Sequence, residues 1–192
     1  MGLRVIIEGF GGQGVKSAGD LLVTTMFHMG HRAQGMPIYS PLQMGGLVTY
    51  SLAIDPNGDR VVPQRDRDVF VMMHRRLFTR QQAETVKPGG LLLVNAAEPP
   101  AEILGLGRRV AVLDADRVAR QHGLARANVP NLSTAMTGAF ARLCGVVDYA
   151  ALEGAVREAF PRLITPNLRA LRAGYESVRQ ADEPAAGAAV GP

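Results

Sequence analysis

Val5-Ile6-Ile7-Glu8-Gly9-Phe10-Gly11-Gly12-Gln13-Gly14 decides how the rest of the chain is read. An apolar run that stops at a cluster of glycines is the pattern of a buried parallel strand entering a tight turn. The turn itself is a literal G-x-G-x-x-G. Glycines there permit positive φ and let the N-terminus of a following helix, with its unpaired N–H groups, come close to a phosphate or carboxylate. The helix is expected over residues 15–29, where Ala18, Leu21, Leu22, Met26 and Met29 recur at three and four, and Gly30 stands where a C-cap glycine would.

Outward from this turn the same alternation continues. Residues 32–38 and 47–54 read as strands, the second ended by the turn residues Pro56-Asn57-Gly58-Asp59. Continuous apolar runs over 68–73 and 90–95 are separated by a polar helical stretch over 79–86, and a third run over 109–114 leads into a short helix over 115–122. The fold class expected is α/β: a mostly parallel layered sheet with flanking helices, Rossmann-like. After Pro130 the pattern becomes helical over 134–143, 149–159 and 167–179, so the C-terminal third is expected to be helical. One domain over 1–180 is expected, followed by a disordered tail over 181–192, which is low in complexity and has no periodicity.

Composition narrows the chemistry. At 192 residues and 47% hydrophobic, the chain is long enough to close one core without staples. Its single cysteine, Cys144, excludes a disulfide scaffold and a Cys-ligated zinc site, and an iron–sulfur cluster needs about four thiolates. No metal is expected on this chain. With no apolar window of about 18 residues and no leader-like start, a soluble cytoplasmic protein without a membrane span is expected. The net charge of +4 is spread along the chain rather than gathered in a block, which points away from nucleic acid and towards an acidic small molecule or partner.

A dinucleotide site would need one part more than the glycine turn: an Asp or Glu about 20 residues on, to hold a ribose. Between Gly30 and Ser40 no acidic residue occurs, and Arg32 comes too early on its strand to read a 2′-phosphate. A stand-alone NAD(P)-binding protein is therefore the alternative reading. Two readings of the turn stay open, an edge for an anion or cofactor and a tight turn packed on a neighbouring subunit. The segment Pro37-Ile38-Tyr39-Ser40-Pro41-Leu42-Gln43-Met44-Gly45-Gly46 is stiffened by proline, and its apolar Leu42 and Met44 suit burial in an interface.

Three pieces of the chain carry a resemblance. Gly9-Phe10-Gly11-Gly12-Gln13-Gly14 followed by Ala18-Gly19 is similar to the opening G-x-G-G-Q-G-x-x-x-A-G of the gamma subunits, or gamma domains, of 2-oxoacid:ferredoxin oxidoreductases, the pyruvate/ketoisovalerate/indolepyruvate group. Pro37-Ile38-Tyr39-Ser40-Pro41 with Gly45-Gly46 resembles that family's P-x-Y-G-P-E-x-R-G-G loop. The closing stretch, Asn167-Leu168-Arg169-Ala170-Leu171-Arg172-Ala173-Gly174-Tyr175-Glu176, resembles its N-x-x-A-x-x-x-G-Y-E. In order and at this spacing the three are specific, over about 3–177.

The resemblance implies a gamma subunit, inactive alone, of a complex that oxidatively decarboxylates a 2-oxoacid to an acyl-CoA. Alpha, beta and delta-type subunits are the implied partners, with ferredoxin or another acceptor taking the electrons. Thiamine diphosphate, Mg2+ and [4Fe-4S] clusters are implied on those partners. This chain would help form the coenzyme A side and the subunit interface. Gly11, Gly12, Gln13, Gly14, Lys16 and Arg75 are the candidate cofactor-binding residues, and Tyr39, Leu42, Met44, Gly45 and Gly46 the candidate interface; no catalytic residue is assigned. One departure matters: Leu42, Gln43 and Met44 replace the family's charged residues, and neither Met nor Leu can pair with phosphate. Either coenzyme A uses other cations, Lys16 and Arg75/Arg76 foremost, or the loop has adapted to another neighbour and a bulkier, aryl 2-oxoacid.

His74 follows a buried strand and precedes Arg75-Arg76, where it can be structural or touch an anion. Asn95 and Asn131 stand where an amide caps a backbone or holds a ligand. Asp114 and Asp116 read as a strand end and helix N-terminus with capping roles, and Cys144 as a small buried residue.

Overall fold

A computed structural model describes residues 2–40, 45–55 and 66–181. The expected tail from residue 182 on, the expected turn Pro56-Asn57-Gly58-Asp59, and Leu42 and Met44 lie outside the described residues; Ala181, expected to start the tail, instead donates its N–H to Val110 carbonyl (2.8 Å). The chain runs β1 (Leu3–Phe10), α1 (Val15–His28), β2 (Ala33–Tyr39), β3 (Leu47–Ile54), β4 (Arg67–Met72), α2 (Arg80–Ala83), β5 (Val86–Asn95), β6 (Arg109–Leu113), α3 (Ala115–Gln121), the two-residue strands β7 (Ala125–Arg126) and β8 (Val129–Pro130), α4 (Ser133–Cys144), α5 (Tyr149–Ala159), α6 (Ile164–Ser177) and β9 (Arg179–Gln180).

Seven strands form one sheet in the order β2-β3-β1-β4-β5-β6-β9. β1, β4, β5 and β6 are a parallel core, registered Ile7 on Val71, Val71 on Leu93 and Leu93 on Ala111. β3 pairs antiparallel to β1, and β2 antiparallel to β3, so β2 again runs with the core. The mostly parallel α/β sheet is the one expected from the apolar runs.

Alternation along each strand divides the core into two layers. Val5, Ile7, Val69, Val71, Leu91 and Leu93 face α1 and α3–α6, whereas Ile6, Phe70, Met72, Leu92 and Val112 face the opposite way, under Phe78, Ala83 and Ile103. α4 and α6 cross closely because Gly138 and Gly174 lack side chains: a Cβ at either would lie 2.1 Å from Leu171 O or 2.0 Å from Ala135 O. Asp148 caps α5 by accepting from Ala151 N–H (2.8 Å), and Gly145 ends α4 at φ 64°.

Three details differ from the sequence pattern. The helix expected over 79–86 is one turn, because β5 starts at Val86 and its first residues pair beside Arg67. α6 begins at Ile164 rather than 167, with Pro166 in its first turn, where a missing N–H costs no intrahelical bond. The C-terminal third is helical apart from β7–β8, just ahead of it, and β9, whose Arg179 pairs with Val112.

Candidate functional site

The glycine turn lies at the C-terminal end of β1, as placed from sequence, and is locked by its own backbone and by one side chain. Gly12 and Gly14 take φ 93° and 88°, in the left-handed region where a Cβ is strained. Space forbids one as well: a Cβ at Gly14 would sit 2.3 Å from Asn131 Oδ1, itself occupied by the N–H and hydroxyl of Ser133. Gln13 is buried. Its Oε1 accepts from Phe10 N–H (2.8 Å), its Nε2 donates to Met73 O (3.3 Å), and its carbonyl accepts from Leu132 N–H (2.8 Å). Gln13 thus supports the turn from behind and also borders the larger of the two clefts beside it.

Met73 O accepts a second amide, Asn95 Nδ2 at 3.0 Å. Asn95 also bonds Asp116 Oδ2 (2.5 Å), and its Oδ1 accepts from Ala115 N–H (2.9 Å). Two buried amides therefore tie the ends of β1, β4 and β5 to the start of α3. Sequence placed Asn95 at a strand end but not this convergence, since the partners are 22 and 60 residues away from one another along the chain.

The turn separates two clefts that share Phe10 and Gly11. The smaller, about 270 Å³, is lined by Gly12, Gly14, Lys16, Ser17, Tyr39 and Asn131. It opens on the first turn of α1, which has no side-chain cap. Lys16 is exposed and paired with Asp20, which also accepts from Tyr50 Oη (2.9 Å). The ring of Tyr50 fills the space left by Gly19 and Gly35, fixing α1 to β2 and β3.

The larger cleft, about 850 Å³, lies on the other side of Gly11 and is bordered by His74, Arg75, Asn95, Asp114, Asp116 and Val129 among others. His74 stands edge-on to Phe10, with centroids 4.6 Å apart at 84°. Its Nδ1 accepts from Arg76 N–H (3.2 Å). Burial first, and then Arg76, hold the imidazole pKa below its ordinary value, while Asp116 acts the other way. Asp114 caps α3 through Arg117 N–H (2.9 Å), as read from sequence.

The residues singled out from sequence are therefore divided. Gly12, Gly14, Lys16 and Tyr39 meet at the small cleft, Arg75 faces the large one, and Gly11 borders both. Gly46 carbonyl accepts from Gly11 N–H (3.0 Å), and Gly45 has φ 67°, so this glycine pair closes on the turn within the chain. Cys144 is largely buried, which pushes its thiol up to about 12. Among the described residues no group of three or more His, Cys, Asp or Glu is placed to hold a metal ion, and no helix is long and apolar enough to cross a membrane.

Comparison with known proteins gives a consistent answer. The family model described as pyruvate ferredoxin/flavodoxin oxidoreductase matches residues 4–177. Pyruvate synthase subunit PorC of Thermotoga maritima is 31% identical over 184 residues, covering 90% of this chain and 92% of the relative. Ketoisovalerate oxidoreductase subunit VorA of Methanothermobacter thermautotrophicus is 34% identical across 93% of this chain, which spans 37% of that longer protein. The crystal structure of pyruvate oxidoreductase subunit PORC from Thermotoga maritima superposes with a TM-score of 0.81 at 27% identity, covering 94% of this chain and 99% of that one.

Proposed function

The chain belongs to the pyruvate ferredoxin/flavodoxin oxidoreductase family, and from that premise we propose that it is the gamma subunit of a multi-subunit 2-oxoacid:acceptor oxidoreductase, inactive by itself. The observation that carries this reading is the end-to-end likeness to PORC, with 99% of that chain covered. The reaction is oxidative decarboxylation of a 2-oxoacid to an acyl-CoA, with ferredoxin or a similar carrier taking the electrons. Thiamine diphosphate, Mg2+ and [4Fe-4S] clusters belong to the alpha, beta and delta-type partners. The chemistry of this chain agrees for the clusters: they need about four thiolates, and the chain has one cysteine.

The contribution of this chain is the coenzyme A side and a subunit interface. Coenzyme A is a polyanion, and the small cleft has what a phosphate requires: the uncapped start of α1, two glycines that let the backbone approach, and Lys16 at the rim. The exposed Lys16–Asp20 pair is worth little, so the ammonium is free to turn to a phosphate. Gln13 keeps the turn in shape. Tyr39, 59% exposed at the end of edge strand β2, with Gly45 and Gly46 closing on the turn, is the part of the loop offered to a partner; Leu42 and Met44 complete that proposed contact. The protein acts in the cytoplasm.

Co-purification of the tagged chain with its native partners, followed by assay on pyruvate, branched-chain, 2-oxoglutarate and aryl 2-oxoacids, tests the reading. Acceptor reduction that needs a 2-oxoacid, coenzyme A and this chain together is expected. Saturable NAD(P) binding by the isolated chain, with no partner recovered, would overturn it.

A further inference from the structure

Residues 129–133, from β8 into the first turn of α4, run against the glycine turn at three points. A Cβ at Gly12 would lie 3.2 Å from Val129 Cγ1, Leu132 N–H donates to Gln13 carbonyl (2.8 Å), and a Cβ at Gly14 would lie 2.3 Å from Asn131 Oδ1. Gly14 is the residue on which α1 begins, at φ 88° and with no side chain to cap the helix. The side chains nearest to that helix start are therefore those of Asn131 and Ser133, brought in from the far end of the β7–β8 hairpin.

The two ends of the Asn131 amide are not equivalent. Oδ1 accepts from both the N–H and the hydroxyl of Ser133, at 3.1 and 2.7 Å. Turning the amide over would set its NH2 group against the Ser133 N–H, donor against donor, so the backbone fixes which end is which. Nδ2 is left facing away from Ser133 and donates to no group among the described residues, while Asn131 borders the small cleft beside Lys16 and Ser17. The same arrangement accounts for the uncapped start of α1. Oδ1, the atom that could have accepted from that first turn, is committed to Ser133, so the N–H groups of α1 stay available. Half-buried, and with its own N–H held by Leu124 carbonyl (2.8 Å), Asn131 is set in place before any ligand arrives.

We propose that Asn131 is a ligand-binding residue of the small cleft, its Nδ2 donating to a phosphate oxygen held at the start of α1. The proposal rests on the reading of this cleft as the coenzyme A side and adds the residue that fixes where the phosphate sits. Lys16, on a flexible stem at the exposed rim, contributes charge, whereas the fixed amide contributes a directed hydrogen bond. Being neutral, it does so without repelling an anion, which a carboxylate of the same shape would do.

The test is the KM for coenzyme A of the assembled complex with native Asn131, Asn131→Ala or Asn131→Asp, measured together with thermal stability. The two roles open to this residue order the variants oppositely. For an acceptor serving only Ser133, aspartate is the good replacement and alanine the bad one. For a donor to phosphate, aspartate is the worse, since it keeps both Ser133 bonds but sets a negative charge against the ligand. Asn131→Ala is expected to raise the KM for coenzyme A about tenfold and Asn131→Asp about a hundredfold, with the KM for the 2-oxoacid within about twofold. Asn131→Asp should melt no lower than the native complex, because its carboxylate lies at the starts of α1 and α4. A KM for Asn131→Asp equal to the native value, or lower than that for Asn131→Ala, would overturn the proposal. If Asn131→Ala fails to fold, Asn131→Asp against the native complex still decides. Lys16→Ala raising the KM while Asn131→Asp leaves it unchanged would refute this inference alone; both leaving it unchanged would refute the coenzyme A reading as well.

Discussion

On one side of Gly11 the glycine turn presents backbone N–H groups at the start of α1; on the other it presents Phe10 and Gln13, and the charged groups come from the ends of β4, β5 and β6 and the segments that follow them. The small cleft is shaped by main chain and so is tied to the glycine pattern. The large cleft is shaped by side chains at strand ends and can change its ligand without changing the turn. A G-x-G-x-x-G therefore identifies the hinge between two sites, but the residues beyond it decide what each holds.

The strongest way to break the comparison is to remove what both sides share. Gly14→Ala puts a Cβ at φ 88° and 2.3 Å from Asn131 Oδ1, and is expected to cost about 3 kcal/mol or more, read as a lowered denaturant midpoint with both clefts lost. Gln13→Ala comes next. It strips Phe10 N–H and Met73 carbonyl of a buried partner, for about 2 kcal/mol in the same measurement; Gln13→Glu, which keeps the acceptor and loses the donor, should fall between.

Surface substitutions sharpen the comparison without unfolding the chain. Lys16→Ala and Arg75→Ala should each leave thermal stability within about 0.5 kcal/mol, since both side chains are exposed. Their effects on coenzyme A should separate, Lys16 lying at the small cleft and Arg75 at the large one. The smallest effect is a pH effect at His74. Its folded pKa lies below the ordinary 6.5, so its stability contribution is complete above pH 6.5 and is lost as pH falls through the lowered value. A shallow decline in stability over that window is expected on acidification, flattened in His74→Gln, with the NMR titration midpoint below 6.5.

The division also explains what was legible in the sequence. Val5-Ile6-Ile7, Val69-Phe70-Val71 and Leu91-Leu92-Leu93 are continuous apolar runs because strands buried on both faces need them, and the glycines mark the turn where the backbone requires positive φ. The antiparallel pairing of β3 on β1 was not legible, because alternation records burial and not strand direction. α2 was overread: its polar stretch has helical composition, but the chain must enter β5 after one turn. Lys16 was legible as a rim residue by its distance from the glycines. Gln13 reads as a ligand contact by its type and place, and its bond to Met73 carbonyl, 60 residues on, adds a role in holding the turn that no local pattern shows. The large cleft draws on four strand ends, and no local pattern announces such a meeting.

The central claim is that the glycine turn serves coenzyme A through its Lys16 side within an assembled oxidoreductase. The KM for coenzyme A of the complex carrying Lys16→Ala, measured beside the native complex on its best 2-oxoacid, tests it most directly. A rise of about tenfold with kcat nearly unchanged is the result expected from losing one charged contact to a phosphate. An unchanged KM, in a complex that assembles normally, would contradict it.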